Sequence, residues 1–457
     1  MIDSIKKILS VNELKEKIVF TLLMLIVCRI GAFIPVPGIN SEEALKIFQF
    51  TAGGSQNLLQ LASIFTGGAF SQMTVIALGV APYITASIVM QMLVPLVPSI
   101  QREMKENSEL AKRKMGKRTR VLTLGLALFQ SFVYAKYAYH MNLSHPGIIV
   151  ELILQAQLFG VSWLFYAIAM VTMTTGTLFL MWIGEQITAK GIGNGVSMII
   201  ALGILSSFPT TLGSLLRGLN LDSQEAGQLT FSSLLFLVSI FVFVIVGTIL
   251  VVQGQRKIPL QYARRLSGRE DAAASNAYIP LKLNYAGVIP VILASTLLMF
   301  PASIAKFLGK GDALSGFASK LLPGSWVFTI AYVLLIIFFS YFWTSTQFHP
   351  EQIASDMKKN GAFIPGIKQG GPTQDYLQTT MNKITFAGSI FLAFIAVLPT
   401  LMGKALGIDS TITQFFGGTS LLILVGVVLD TTKQIESHLI MKRYDGFMKK
   451  GRISSGL

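Results

Sequence analysis

The residues that could do chemistry are few. Four histidines, one cysteine and 22 carboxylates are spread through 457 residues. His140, His145, His349 and His438 fall in loops or near helix ends, and no HExxH pattern accompanies them, so no metal ligand is assigned. The lone Cys28 can form neither an intramolecular disulfide nor a cysteine-ligand metal site; it reads as a small apolar residue of a membrane helix. A phosphate cradle of the form GxxxxGK[ST] does not occur, and Gly191-Ile-Gly-Asn-Gly195 departs from GxGxxG and opens an apolar helix, where it reads as a flexible lead-in. The apolar stretches hold essentially no Asp, Glu or His, which an ion-coupled carrier would keep inside the membrane. No cofactor site and no catalytic constellation emerge. The expected activity is therefore passive rather than enzymatic.

The scaffold explains that poverty. Hydrophobic residues make up 52% of the chain and charged residues 13%, about half the charged share of a soluble globular protein. A bilayer core needs roughly 20 apolar helical residues to cross it. Five such stretches are clear, each free of charge or carrying one Lys near its outer end: residues 121–139, 160–182, 233–252, 287–307 and 326–346. Five more are shorter or broken by Gly, Pro or a charge: residues 18–34, 73–93, 195–212, 384–401 and 410–429. The expected fold is an all-α multispan membrane protein of about ten transmembrane helices. The first stretch lacks a small-x-small cleavage site and is expected to remain in the mature chain.

Charge then orients the chain. The net +15 would suit nucleic acid if it were diffuse, but it is not. With ten spans, 29 of the 37 Lys and Arg fall on the side of the termini and 7 on the other, leaving Arg29 inside the first span. The positive-inside rule places both termini in the cytoplasm. Arg29, about 18 Å along the helix from Lys17, is expected to reach toward the outer interface. Five spans followed by five permit two inverted halves, residues 1–218 and 219–457, since an odd number reverses the second.

Several motifs recur together: Arg29-Ile-Gly-Ala-Phe-Ile-Pro-Val-Pro-Gly-Ile39, Phe65-Thr-Gly-Gly-Ala-Phe70, Ala77-Leu-Gly-Val-Ala-Pro-Tyr-Ile-Thr-Ala-Ser-Ile88, Gly191-Ile-Gly-Asn-Gly195, Pro280-Leu-Lys-Leu-Asn-Tyr-Ala-Gly-Val-Ile-Pro290, Gly361-Ala-Phe-Ile-Pro-Gly-Ile367 and Phe416-Gly-Gly-Thr-Ser-Leu-Leu422. In this order and across nearly the whole chain, they resemble the SecY family, the channel subunits of the bacterial Sec translocon. The resemblance implies a clamshell of two five-helix halves around a central pore with a plug, passing unfolded precursor polypeptides that carry signal sequences and releasing hydrophobic segments sideways into membrane lipid. It implies a pore ring of Val80, Ile84, Val196, Ile200, Ile292 and Ile423. The pairs Val80/Ile84 and Val196/Ile200 are spaced to share a helix face.

The same resemblance implies a plug over residues 58–72, with Phe65 and the helix-breaking Gly67 and Gly68, and a lateral gate where Thr85, Gln91, Gln130, Thr296 and Phe300 meet, with polar contacts across it. It further implies cytoplasmic loops at residues 253–283 and 349–376 that dock the ribosome or the motor SecA through Arg256, Lys257, Arg264, Arg265 and Lys368. SecE and SecG are the implied membrane partners, and the bacterial cytoplasmic (inner) membrane the implied location. Lys368 stands where the family commonly has Arg, which keeps the charge and loses the bidentate fork. The alternative from another class is a multispan secondary transporter for small solutes, which the shortage of membrane carboxylates disfavours.

Overall fold

A computed structural model describes residues 11–52, 63–106, 108–151, 162–217, 231–262, 278–285, 287–308, 325–406 and 419–454. Its helices are α1 (Asn12–Gly31), α2 (Ser41–Ala52), α3 (Ala81–Leu96), α4 (Pro98–Glu106), α5 (Ser108–Ser144), α6 (Trp163–Lys190), α7 (Gly195–Arg217), α8 (Phe231–Gln253), α9 (Ile289–Leu308), α10 (Trp326–Gln347), α11 (Pro350–Lys359), α12 (Gly371–Leu406) and α13 (Thr419–Ser454). Each of the ten expected stretches meets one of them, and α2, α4 and α11 are the connecting helices. Among the described residues, six helices are long and apolar enough to cross a membrane by length and composition, and two shorter apolar helices lie within α3 and α9. The large apolar side chains of α8 illustrate why water is the wrong solvent. Leu235, Val238, Val242, Val246 and Leu250 are all exposed on it, a face that only lipid would cover at no cost. The protein is a multipass membrane protein.

Helix contacts divide the chain without separating it. In one group α3 packs on α5, α5 on α6, and α6 on both α1 and α7; in the other α9 packs on α10, α10 on α12, and α8 on both α12 and α13. The groups meet where α7 lies against α13 and where α9 touches α3 and α5. Small residues permit the closest approaches. A Cβ on Gly176 of α6 would strike the Val75 carbonyl, and one on Gly195 the Gly184 carbonyl.

Two expectations change in detail. The apolar pattern starts the second span at residue 73, but its helix begins only at Ala81, with turns over residues 66–80. The cause is local: Gly79 takes φ 58°, Pro82 sits in the first turn, and residues 73–75 are drawn into pairing with the Ile34-Pro-Val36 segment through Val75 N–H to the Ile34 carbonyl at 2.9 Å and Val36 N–H to the Met73 carbonyl at 3.1 Å. The long loops expected at residues 253–283 and 349–376 are also more ordered than loops. β1 (Gln255–Pro259) pairs antiparallel with β3 (Tyr278–Lys282), setting Arg256 opposite Leu281, and β2 (Gln261–Tyr262) pairs with β4 (Ala362–Phe363). The two loops are thus joined into one protrusion.

That protrusion has its own apolar centre, in which Ile258, Leu281, Phe348, Met357, Ile364, Leu377 and Met381 are buried together. Alternation does the sorting: Ile258 and Leu281 point inward while their neighbours on each strand are half-buried or exposed. Leu281→Ala, at a fully buried position, should cost the protrusion about 2–5 kcal/mol and loosen the hairpin from α11 and α12. Limited trypsin digestion should then cut faster after Arg256 and Lys257; an unchanged rate would contradict the docked arrangement.

Candidate functional site

The six residues of the implied ring come from four helices and from both groups. Val80 caps α3, and its carbonyl accepts from Ile84 N–H at 3.0 Å, so the pair keeps helical spacing although the first member precedes the helix. Val196 and Ile200 lie in the first turns of α7, Ile292 in the first turn of α9 and Ile423 in that of α13. All six belong to one apolar cluster: Val80, Ile200 and Ile423 are buried, and Ile84, Val196 and Ile292 pack against them. Ile423 is 1% exposed. A β-branched side chain is stiff at χ1 and offers no hydrogen bond, so the cluster closes by shape and dispersion alone.

The α7 members are held by the Gly191-Ile-Gly-Asn-Gly195 connector, which is pinned rather than flexible. Ile192 N–H donates to Thr21 Oγ1 of α1 at 3.0 Å, Gly193 N–H to Gln434 Oε1 of α13 at 2.8 Å, and Gly195 N–H to Thr188 Oγ1 of α6 at 2.9 Å. Asn194 Oδ1 then accepts from Val196 N–H at 3.1 Å and Ser197 N–H at 3.3 Å, capping α7. Gly193 takes φ 86°, which favours glycine there. The sequence pattern carried this information, since Asn before an apolar run is a cap signal; the partners on α1, α6 and α13 were not readable from it.

Residues 63–72, the described part of the expected plug, begin as a short helical turn at residues 63–65 and continue in turns; residues 58–62 lie outside the described residues. Gly67 and Gly68 have φ 64° and 88°. The segment lies against α7, because a Cβ on Gly203 would strike the Phe65 carbonyl. Arg29, expected to reach toward the outer interface, donates from Nη1 to the Gly67 carbonyl at 2.9 Å, and its guanidinium lies 4.7 Å from the centre of the Phe33 ring. A cavity of about 40 Å³ is lined by Arg29, Phe65, Val80, Ile199 and Gly203 among others.

At the seam between α3, α5 and α9, the expected polar contacts run along helices rather than across the seam. Thr85 Oγ1 donates to the Ala81 carbonyl at 3.0 Å, Gln91 Nε2 to Ser87 Oγ at 3.0 Å, and Thr296 Oγ1 to the Ile292 carbonyl at 2.8 Å. A hydroxyl in a helix finds its own i−4 carbonyl before it finds a neighbour. Gln130 is half-buried on α5, and Phe300 lies on α9 with its side chain outside the described residues. The seam is apolar: Ile88 and Met92 of α3 pack against the cluster built from α8, α9, α10, α12 and α13. Nothing in the sequence singles out either residue.

Arg256 and Lys257 are exposed on β1, with Lys257 Nζ 4.6 Å above the Tyr278 ring. Lys368 lies in the loop after β4; Arg264 and Arg265 lie outside the described residues.

The SecY family model matches residues 74–432. The protein translocase subunit SecY of Chlamydia trachomatis serovar D is 56% identical over 450 residues, 98% of each chain. A solved structure described as "The structure of a protein conducting channel" aligns with a TM-score of 0.61 at 20% identity, over 93% of this chain and 92% of its own. A second, "Sec61 in the Canine ribosome-channel complex from the endoplasmic reticulum", aligns with a TM-score of 0.58 at 19% identity over the same shares. At those identities the structural likeness is one of fold.

In a background with Cys28 replaced by Ser, the paired substitutions Val80→Cys and Ile423→Cys should be bridged by a short bifunctional thiol reagent in the resting protein. Absence of the bridge would contradict the shared cluster.

Proposed function

The chain belongs to the SecY family, whose members are channel subunits of the protein translocase, and we propose that its six-residue aliphatic cluster is the seal around which it passes unfolded polypeptides. The observation that carries this reading is the meeting of β-branched side chains from α3, α7, α9 and α13, two helices from each contact group, in one cluster. Such a ring has no charge or hydrogen bond with which to hold a moving chain, and a narrow dry constriction opposes ions.

The remaining parts take their roles from that seal. The halves 1–218 and 219–457 act as the two shells, hinged where α7 packs on α13 and opening where α9 touches α3 and α5, so that hydrophobic segments leave into lipid. Residues 58–72 plug the far side of the ring. The protrusion of β1–β4, with Arg256, Lys257, Arg264, Arg265 and Lys368, faces the cytoplasm of a bacterial inner membrane together with both termini. It docks the ribosome, whose phosphates a basic surface attracts, or SecA, whose ATP hydrolysis drives export; SecE and SecG complete the membrane complex. The chain itself catalyses no reaction.

Ile292→Asn tests the seal. An amide held without a partner costs about 1–3 kcal/mol in the closed state, which lowers the closed-to-open ratio roughly five- to 150-fold. Resting conductance of the reconstituted complex should rise, and precursors with defective signal sequences should be imported better, because less signal binding energy is needed to open the channel. Parental conductance and parental signal stringency together would overturn the ring assignment.

The seam is tested separately. With Cys28→Ser as background, a short bridge between Thr85→Cys and Phe300→Cys should stop precursor import into vesicles supplied with SecA and ATP. A linker long enough to admit a helix should restore it. Import at the unbridged rate through the short bridge would show that the gate lies elsewhere.

A further inference from the structure

Arg29 is the one cation inside the first span, and the structure commits it to a backbone carbonyl. It sits half-buried in the last turn of α1, where the helix dipole already favours a positive charge. Among the described residues, none of the ion pairs includes it. Its guanidinium is steadied at the Phe33 ring and donates to the Gly67 carbonyl. α7 completes the cradle. Ser206 Oγ lies 3.5 Å from the same carbonyl, Ser207 Oγ 3.5 Å from the Ile64 carbonyl, and the bare Cα of Gly203 lets the backbone at Phe65 come close.

The contact is strong enough to hold and weak enough to release. A buried carbonyl that loses its donor is penalised in a membrane interior, and a hydrogen bond from a charged donor is stronger than a neutral one. A carboxylate in place of the carbonyl would hold more firmly, but it would leave a buried ion pair to be broken at each opening. A single carbonyl at the end of a short segment makes the bond releasable. Resting on the reading of residues 58–72 as the plug, we infer that Arg29 is a positioning residue that latches this segment against α7 and so sets the threshold at which the channel opens.

The test uses the reconstituted translocase complex with Cys28→Ser as background and Ser71→Cys as reporter. Ser71 is 5% exposed at rest and becomes accessible to a membrane-impermeant thiol reagent when the segment leaves. Arg29→Met keeps the long apolar stem and removes the donor. Labelling at position 71 and resting conductance should rise roughly tenfold or more, and signal stringency should relax. Arg29→Lys keeps a charge and a donor and should restore part of the parental behaviour, a rescue that a purely packing role would not produce. Deletion of residues 63–72 is the control. If it raises conductance while Arg29→Met leaves labelling and conductance at parental levels, the latch is wrong and the plug stands. If the deletion leaves conductance unchanged, the plug reading falls and the latch with it. Should Arg29→Met not assemble, Arg29→Leu, which also removes the charge and the donor, decides: raised labelling supports the latch, and parental labelling overturns it.

Discussion

Six β-branched side chains from four helices share one apolar cluster, and under the proposed function this cluster is the constraint on which the rest of the molecule depends. A hole through a membrane must be filled at rest by atoms that exclude water and ions, yet the filling must part without breaking bonds that would trap a passing chain. Aliphatic contacts meet both demands, since each is worth only about 0.1–0.2 kcal/mol per atom pair and none is directional. The requirement then passes outward. A seal with no bonds of its own is only as exact as the helix ends that carry it.

The polar interactions accordingly lie one layer away from the ring. Thr21, Thr188 and Gln434 fix the backbone just before Val196, and Asn194 caps the helix that carries Val196 and Ile200. Gln434 and Thr431 of α13 reach Gly193 and Met198 Sδ, so the side on which α7 and α13 meet is tied by side-chain bonds. At the opposite seam, Thr85, Gln91 and Thr296 keep their bonds within their own helices, and contact across it includes Ile88 and Met92 packing on the second group's core. Under the proposed function, this asymmetry suits a hinge where α7 meets α13 and a gate where α9 meets α3 and α5.

Much of this was legible before any coordinate. Apolar runs of about 20 residues announce membrane helices because the bilayer leaves few alternatives. What escaped were effects that sequence spacing does not encode. The start of α3 at Ala81 rather than residue 73 follows from pairing between residues 73–75 and 34–36, which are far apart in the chain. The strands β1 and β3 place Ile258 and Leu281 in a core shared with α11 and α12; in sequence they read as part of a basic loop, because Arg256, Lys257 and Lys282 stand out in their composition. Arg29 was conspicuous, but its partner is a glycine carbonyl, and no residue type marks a carbonyl as an acceptor in waiting. The proposed ring rests on family resemblance, since aliphatic pairs at i, i+4 are ordinary packing in any membrane helix; the structure adds that its six residues share one apolar cluster.

The most direct measurement uses a precursor arrested partway through the channel and carrying a single thiol at the position expected in the constriction, with Ile423→Cys on the Cys28→Ser background. The account predicts that the thiol introduced at position 423 is inert to water-borne reagents from either face at rest and forms a disulfide with the arrested precursor. Rapid modification at rest, or failure of the arrested chain to reach position 423 while it is crosslinked elsewhere in the protein, would contradict the claim that polypeptides pass through this ring.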